Sequence, residues 1–155
     1  MNYHTLILIH IVSVILLLGI GGGSAFYKFM ADRSGNLEVI VHTNRMVVLA
    51  DWLFTTPAVI AQPITGFMLM NLGFGLENSW LLLSLYLYAF SIILWFMAVW
   101  LQMKMKKLSF VAKESGRELT QAYDRLVKYW IVLGVFSSIA MGMIMLLMIF
   151  KTTIV

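Results

Sequence analysis

Cysteine is absent from this 155-residue chain, which excludes disulfides, thiolate metal sites and a cysteine nucleophile. Charge is scarce as well. Asp, Glu, Lys and Arg make up 12% of the residues against 61% hydrophobic ones, a balance outside that of water-soluble domains. Proline occurs only at positions 57 and 63, both inside one apolar stretch. There is no phosphate loop, nucleophile elbow or metalloprotease pair of histidines, so the common soluble-enzyme chemistries have no foothold. No internal repeat and no low-complexity linker divides the chain, and residues 1–155 read as a single transmembrane domain.

What is present is a set of long apolar runs. About 20 such residues cross a hydrocarbon core, and hydropathy predicts four spans, at about 5–26, 46–72, 80–102 and 129–150. The predicted class is all-α, an integral membrane four-helix bundle with short amphipathic helical segments at one end. The segment before the first span, MNYHT, carries no lysine or arginine, and the apolar run is longer than a signal-peptide core. The first span is therefore expected to stay as a membrane helix. The net charge of +4 does not point to nucleic acid, because the basic residues cluster in two short connections beside the spans. Lys28, Arg33 and Arg45 follow the first span, and Lys104 to Lys128 follow the third, whereas the 73–79 connection carries only Glu77. The positive-inside rule puts both basic connections in the cytoplasm and both termini on the outer, periplasmic side. A short helix after Gly35 is expected to run into span two. Residues 109–129 read as a cytoplasmic extension of span four, with Leu119, Tyr123, Leu126, Val127 and Trp130 on its apolar side.

Residues 50–70, ADWLFTTPAVIAQPITGFMLM, hold the densest polar pattern at membrane depth. Each proline removes a backbone donor and crowds the preceding turn, which predicts a broken or kinked helix. At helical spacing Asp51, Thr55, Ala58, Gln62 and Thr65 or Gly66 share one stripe, expected to face the bundle interior. Asp51 needs neutralising, by Arg45 or by a partner on span three, or else it stands at a water-filled entrance. His10 is the other ionisable group inside a span, and such groups are candidates for function as well as for interhelical hydrogen bonding. Ser13, Leu17, Gly21 and Ser24 continue its face. The GIGGGS run would admit a neighbouring backbone or a flat cofactor. By depth, His10 is level with Thr65 to Met68, with Ser84 to Tyr88 and with Met145, and span three carries the stripe Ser84, Tyr88, Ser91, Trp95 and Gln102. Histidine, methionine and aromatic groups at one level suit a haem pocket, with His10 as iron ligand and Ser13, Gly21, Ser84, Tyr88 and Met145 around it. Met141, Met143, Met145 and Met148 spread around their helix, so they cannot all face one copper ion.

The segments ADRSGN, VVLADWLFTTPAVIAQPITG, SWLLLSLYLYA and VWLQ resemble a family of small bacterial four-helix inner-membrane proteins described only as a domain of unknown function. More distantly, the early histidine followed by small residues, with the TPA...G pattern of span two, is similar to HemJ-type protoporphyrinogen oxidases and to the membrane domain of copper-resistance D proteins. The distant resemblance implies haem b held at His10. The HemJ-type pattern W-L-x-x-K ends here in Ser84, a departure that argues against protoporphyrinogen oxidation by this chain.

Three readings follow. The first is a haem b-binding redox protein of the bacterial inner membrane, activity unassigned, working with a membrane electron-transfer partner. The second is a non-enzymatic module for transport or assembly. The third is a proton or small-solute path lined by Asp51, Thr55, Gln62 and Thr65, for which four helices would need a homo-oligomer.

Overall fold

The computed structural model describes residues 2–72 and 78–151, all helical apart from caps and turns. Helix α1 spans Tyr3–Arg33, α2 Leu37–Ala50, α3 Thr56–Asn71, α4 Ser79–Glu114 and α5 Gln121–Phe150, and a π-helical turn, Asp51–Thr55, joins α2 to α3. Four rods result, since Leu37–Asn71 is one apolar helix of 35 residues and the others have 31, 36 and 30. All are long and apolar enough to cross a bilayer. At 1.5 Å per residue each outruns a core of roughly 30 Å, and the surplus turns gather at the basic end. Most of the connection at 73–79, Glu77 included, lies outside the described residues.

Local chemistry sets the boundaries. Asn2 caps α1 by accepting the Thr5 amide at 2.8 Å. Gly35, at φ 65°, turns the chain sharply. Asn36 then caps α2 through the Glu38 and Val39 amides, and the short helix expected after Gly35 runs on into span two. The second basic connection differs from expectation. Ser109 to Glu114 finish α4, and the chain turns at Ser115 and Gly116 rather than starting an extension of α5 at 109. Gly116 adopts φ 62° and the Arg117 amide reaches back to the Ala112 carbonyl at 3.0 Å, a C-terminal stop that the charge pattern of 109–129 masks.

The prolines do what their geometry requires without breaking the rod. Pro57 cannot donate, and just ahead of it the ladder widens, the Thr56 amide bonding the carbonyl of Asp51, five residues back. The Thr56 hydroxyl donates to the same carbonyl at 2.8 Å. Pro63 leaves the Val59 carbonyl without its helical donor. Tyr88 of α4 supplies the replacement, its hydroxyl donating to Val59 O at 2.6 Å.

In cross-section α5 packs chiefly on α4, α2 on α4, and α1 on α2 and α3, while α1 and α5 touch only slightly. Ile40, Leu101, Met105, Tyr123 and Trp130 form the core toward the basic end, and Trp80, Leu81 and Leu147 form a smaller one toward the termini. The outer surface is covered with exposed Leu, Ile, Val and Phe, the surface a bilayer would cover.

Candidate functional site

Three buried polar clusters lie along the bundle. The first, at the basic end, was not singled out from the sequence. Lys28 is 1% exposed, and its ammonium is 2.7 Å from Asp32 one turn on. It also donates to the Tyr123 hydroxyl at 3.0 Å, and that hydroxyl donates to the other Asp32 oxygen at 2.7 Å. Asn44 of α2 donates to Tyr123 and to Ser109 of α4, both at 3.0 Å. The rings of Tyr123 and Trp130 lie 5.2 and 5.8 Å from the ammonium. One network therefore ties α1, α2, α4 and α5 together, with its charge balanced. The i, i+4 spacing of Lys28 and Asp32 was the available signal.

The second cluster surrounds His10. The Thr65 hydroxyl donates to the Ala61 carbonyl at 2.7 Å, so its oxygen is free to accept from His10 Nδ1 at 2.9 Å. His10 Nε2 then carries the lone pair and accepts the Gln62 amide at 3.0 Å. Gly66 lies beneath the ring, where an added Cβ would come within 3.4 Å of His10 Cε1. Thr65, level with His10 by depth, thus contacts it, and Gln62 joins them. A cavity of about 250 Å³ adjoins the cluster and is lined by His10, Gln62, Ser84, Tyr88 and Met148 among others. Met145 does not line it and is 41% exposed on the outer surface. Ser13 is buried but spends its hydroxyl on the Ile9 carbonyl, and Ser84 spends its own on Trp80. Gly21 lies elsewhere, on the larger cavity. Among the described residues no three His, Asp or Glu side chains converge as a metal site would need.

The third cluster centres on Asp51. It opens onto a cavity of about 530 Å³ between α1, the π turn, α4 and α5. Thr55, Tyr88, Ser91, Trp95 and Gln102 line it together with Asp51, so the polar stripes expected on spans two and three meet here. Asp51 is 6% exposed, and its side-chain neighbours are Thr55 and Gln102; Arg45 is exposed and makes no ion pair with it. Five buried polar atoms around this cavity lack any hydrogen-bond partner: Asp51 Oδ2, Thr55 Oγ1, Ser91 Oγ, Trp95 Nε1 and Gln102 Oε1. Ser91 is telling, because Ser13, Ser84 and Ser115 all bond back to the carbonyl four residues earlier and Ser91 does not. Glycine makes room on the opposite wall. A Cβ at Gly21, Gly22 or Gly134 would meet nothing within 4 Å, so these glycines border open space instead of a close helix crossing. The methionines divide as their spacing requires: Met141 borders this cavity, Met148 the smaller one, and Met143 and Met145 are exposed. Tyr88 stands between the two cavities and borders both.

Comparison with known proteins gives a family and nothing finer. A family model described as predicted integral membrane protein (DUF2269) matches residues 4–152. No curated protein and no solved structure matches the chain. The resemblance to HemJ-type oxidases and copper-resistance D proteins accordingly rests on sequence pattern alone.

Proposed function

The chain belongs to this family of predicted integral membrane proteins, and on that footing we propose that it is a membrane-embedded binding protein whose small amphiphilic ligand sits in the cavity around Asp51. The observation that carries the reading is the convergence of five unpartnered buried polar atoms on one cavity. Each such atom costs about 1–3 kcal/mol when nothing satisfies it. Five together would rival the whole stability of a typical domain, about 5–15 kcal/mol; the closeness of Thr55 and Gln102 to Asp51 offsets part of that cost, and Ser91 and Trp95 are left for partners from outside the chain. A largely apolar chamber with a few converging polar groups is the usual form of a small-molecule site, and its volume falls within the usual range of about 300–1,000 Å³. Access is from the side. Where α1 and α5 barely touch, the wall includes Gly21, Gly22 and Ser24 of α1 and Gly134, Ser137 and Ser138 of α5, small residues that leave a path from the lipid. In the bacterial inner membrane, with termini periplasmic as the basic connections favour, the site lies in the cytoplasmic half.

Haem at His10 fits these residues less well. The Nε2 lone pair that would bind iron already accepts the Gln62 amide, and Nδ1 is held by Thr65. The adjoining cavity, about 250 Å³, is below the usual size for a drug-sized ligand. The glycine-rich face of α1, which by sequence would admit a neighbouring backbone or a flat cofactor, opens on the Asp51 cavity.

The test is photolabelling in phosphatidylcholine nanodiscs with a diazirine-bearing alkyl alcohol, mapped by peptide mass spectrometry. Saturable labelling of the α4 and α5 segments that border the cavity is expected in the wild type, and its loss in Ser91→Leu, which fills the chamber. Non-saturable labelling spread equally over both proteins overturns the reading. A Soret band in the mildly purified protein that disappears in His10→Ala would move the assignment to haem.

A further inference from the structure

From the charge and donor pattern of the cavity wall we infer that the ligand's head group is an ammonium, seated between the Asp51 carboxylate, Gln102 Oε1 and the Trp95 indole; this rests on the binding reading above. Of the five unpartnered atoms, Asp51 Oδ2 and Gln102 Oε1 can only accept when the carboxyl is ionised, the two hydroxyls can accept, and Trp95 Nε1 alone is an obligate donor. The wall is thus rich in acceptors. Among the described residues no lysine, arginine or histidine borders the cavity, so none of their cations balances Asp51. The nearby candidate is already committed: Lys28 stacks on Trp130, another wall residue, but its ammonium is held by Asp32 at 2.7 Å. A buried carboxylate without a counter-charge is costly, and a ligand that brings one removes that cost while using the acceptors. Indole is also the best aromatic surface for an ammonium, and the Trp95 N–H, which an ammonium cannot satisfy, is left to water. The remaining wall is apolar, from Val59 and Ile92 to Leu133, and suits a hydrocarbon body. The class is therefore a lipophilic amine, either free or as the head of an aminolipid.

Three probes share one compact apolar body and differ in the head: 1-adamantylamine, 1-adamantanol and adamantane-1-carboxylate. Binding is measured by equilibrium dialysis against the full-length protein in phosphatidylcholine nanodiscs, with empty nanodiscs subtracted. The amine is expected to bind at least about tenfold tighter than the alcohol, or about 1.4 kcal/mol, and the carboxylate to show no saturable binding. Asp51→Asn should bring the amine down to the alcohol's affinity, and Asp51→Glu, which keeps the charge, should retain the preference. Trp95→Leu should weaken the amine more than the alcohol. Adding phosphatidylethanolamine separates the sources: competition with the amine assigns the ammonium to a lipid head, and its absence assigns a free amine. Equal binding of amine and alcohol overturns the ammonium assignment and leaves the cavity reading standing. Saturable binding of none of the three, by a protein that still melts cooperatively, overturns both.

Discussion

The polar groups at the basic end and those around Asp51 are similar side chains at similar burial, but their bonding is opposite. Around Lys28 the ammonium, carboxylate, phenol and Asn44 amide nitrogen meet one another at 2.7–3.0 Å across three helices. Around Asp51, a carboxylate, two hydroxyls, an indole and a carboxamide face a common space with an atom of each unpaired. A closed network adds to the fold, because breaking it strands charges in a low dielectric. An open one subtracts from the fold until something enters. The difference separates a clamp from a site, even though both consist of ionisable residues buried in a membrane bundle.

Substitutions that treat the two regions alike should therefore have unlike effects. The largest loss is expected from Asp32→Ala, which leaves the Lys28 ammonium buried and unpaired and should cost about 3–5 kcal/mol, read as a fall in the denaturant midpoint of the detergent-solubilised protein. Next comes Tyr123→Phe, which removes one hydroxyl shared by Lys28, Asp32 and Asn44 and should cost about 1–3 kcal/mol in the same assay. His10→Ala loses two interhelical bonds worth about 0.6 kcal/mol each in a membrane interior, and its midpoint should fall by about 1 kcal/mol. Lys113→Ala removes a pair with Glu38 that is largely exposed, and the change should be no more than about 0.5 kcal/mol and should shrink further in salt. In the cavity, Ser91→Ala should cost nothing measurable and should give a small gain in midpoint, because it deletes a hydroxyl that has no partner. A Ser91→Ala loss as large as that of Tyr123→Phe would dissolve the comparison.

Much of this arrangement could be read from the sequence because bilayer physics leaves few choices. A span must be helical and apolar, so polar residues at three and four spacing must turn inward, and Asp51, Thr55, Gln62 and Thr65 do. The depth count also placed His10 beside Thr65. It failed for Met145, because a level does not specify which side of a helix faces the partner. Pro57 and Pro63 signalled a break, but a π turn and a borrowed Tyr88 hydroxyl absorb it, and both depend on neighbours that no local pattern reveals. The clamp was hidden for a related reason. Lys28 counts as a topology charge until the ends of three other helices are seen to close around it. The ending of α4 was missed because the charged turns after Lys107 stay amphipathic right up to Gly116, and only the Ser115 and Gly116 pair marks the stop.

The most direct measurement makes the same chemical change in both regions. Asp32→Asn and Asp51→Asn each replace a buried carboxylate by its amide, and the two variants are compared by thermal unfolding and by amine binding in the same nanodiscs. The account predicts that Asp32→Asn unfolds well below the wild type while still preferring the amine, and that Asp51→Asn unfolds no lower than the wild type and loses that preference. An Asp51→Asn variant as destabilised as Asp32→Asn would contradict it, making Asp51 a second structural anchor and leaving the cavity without its ligand.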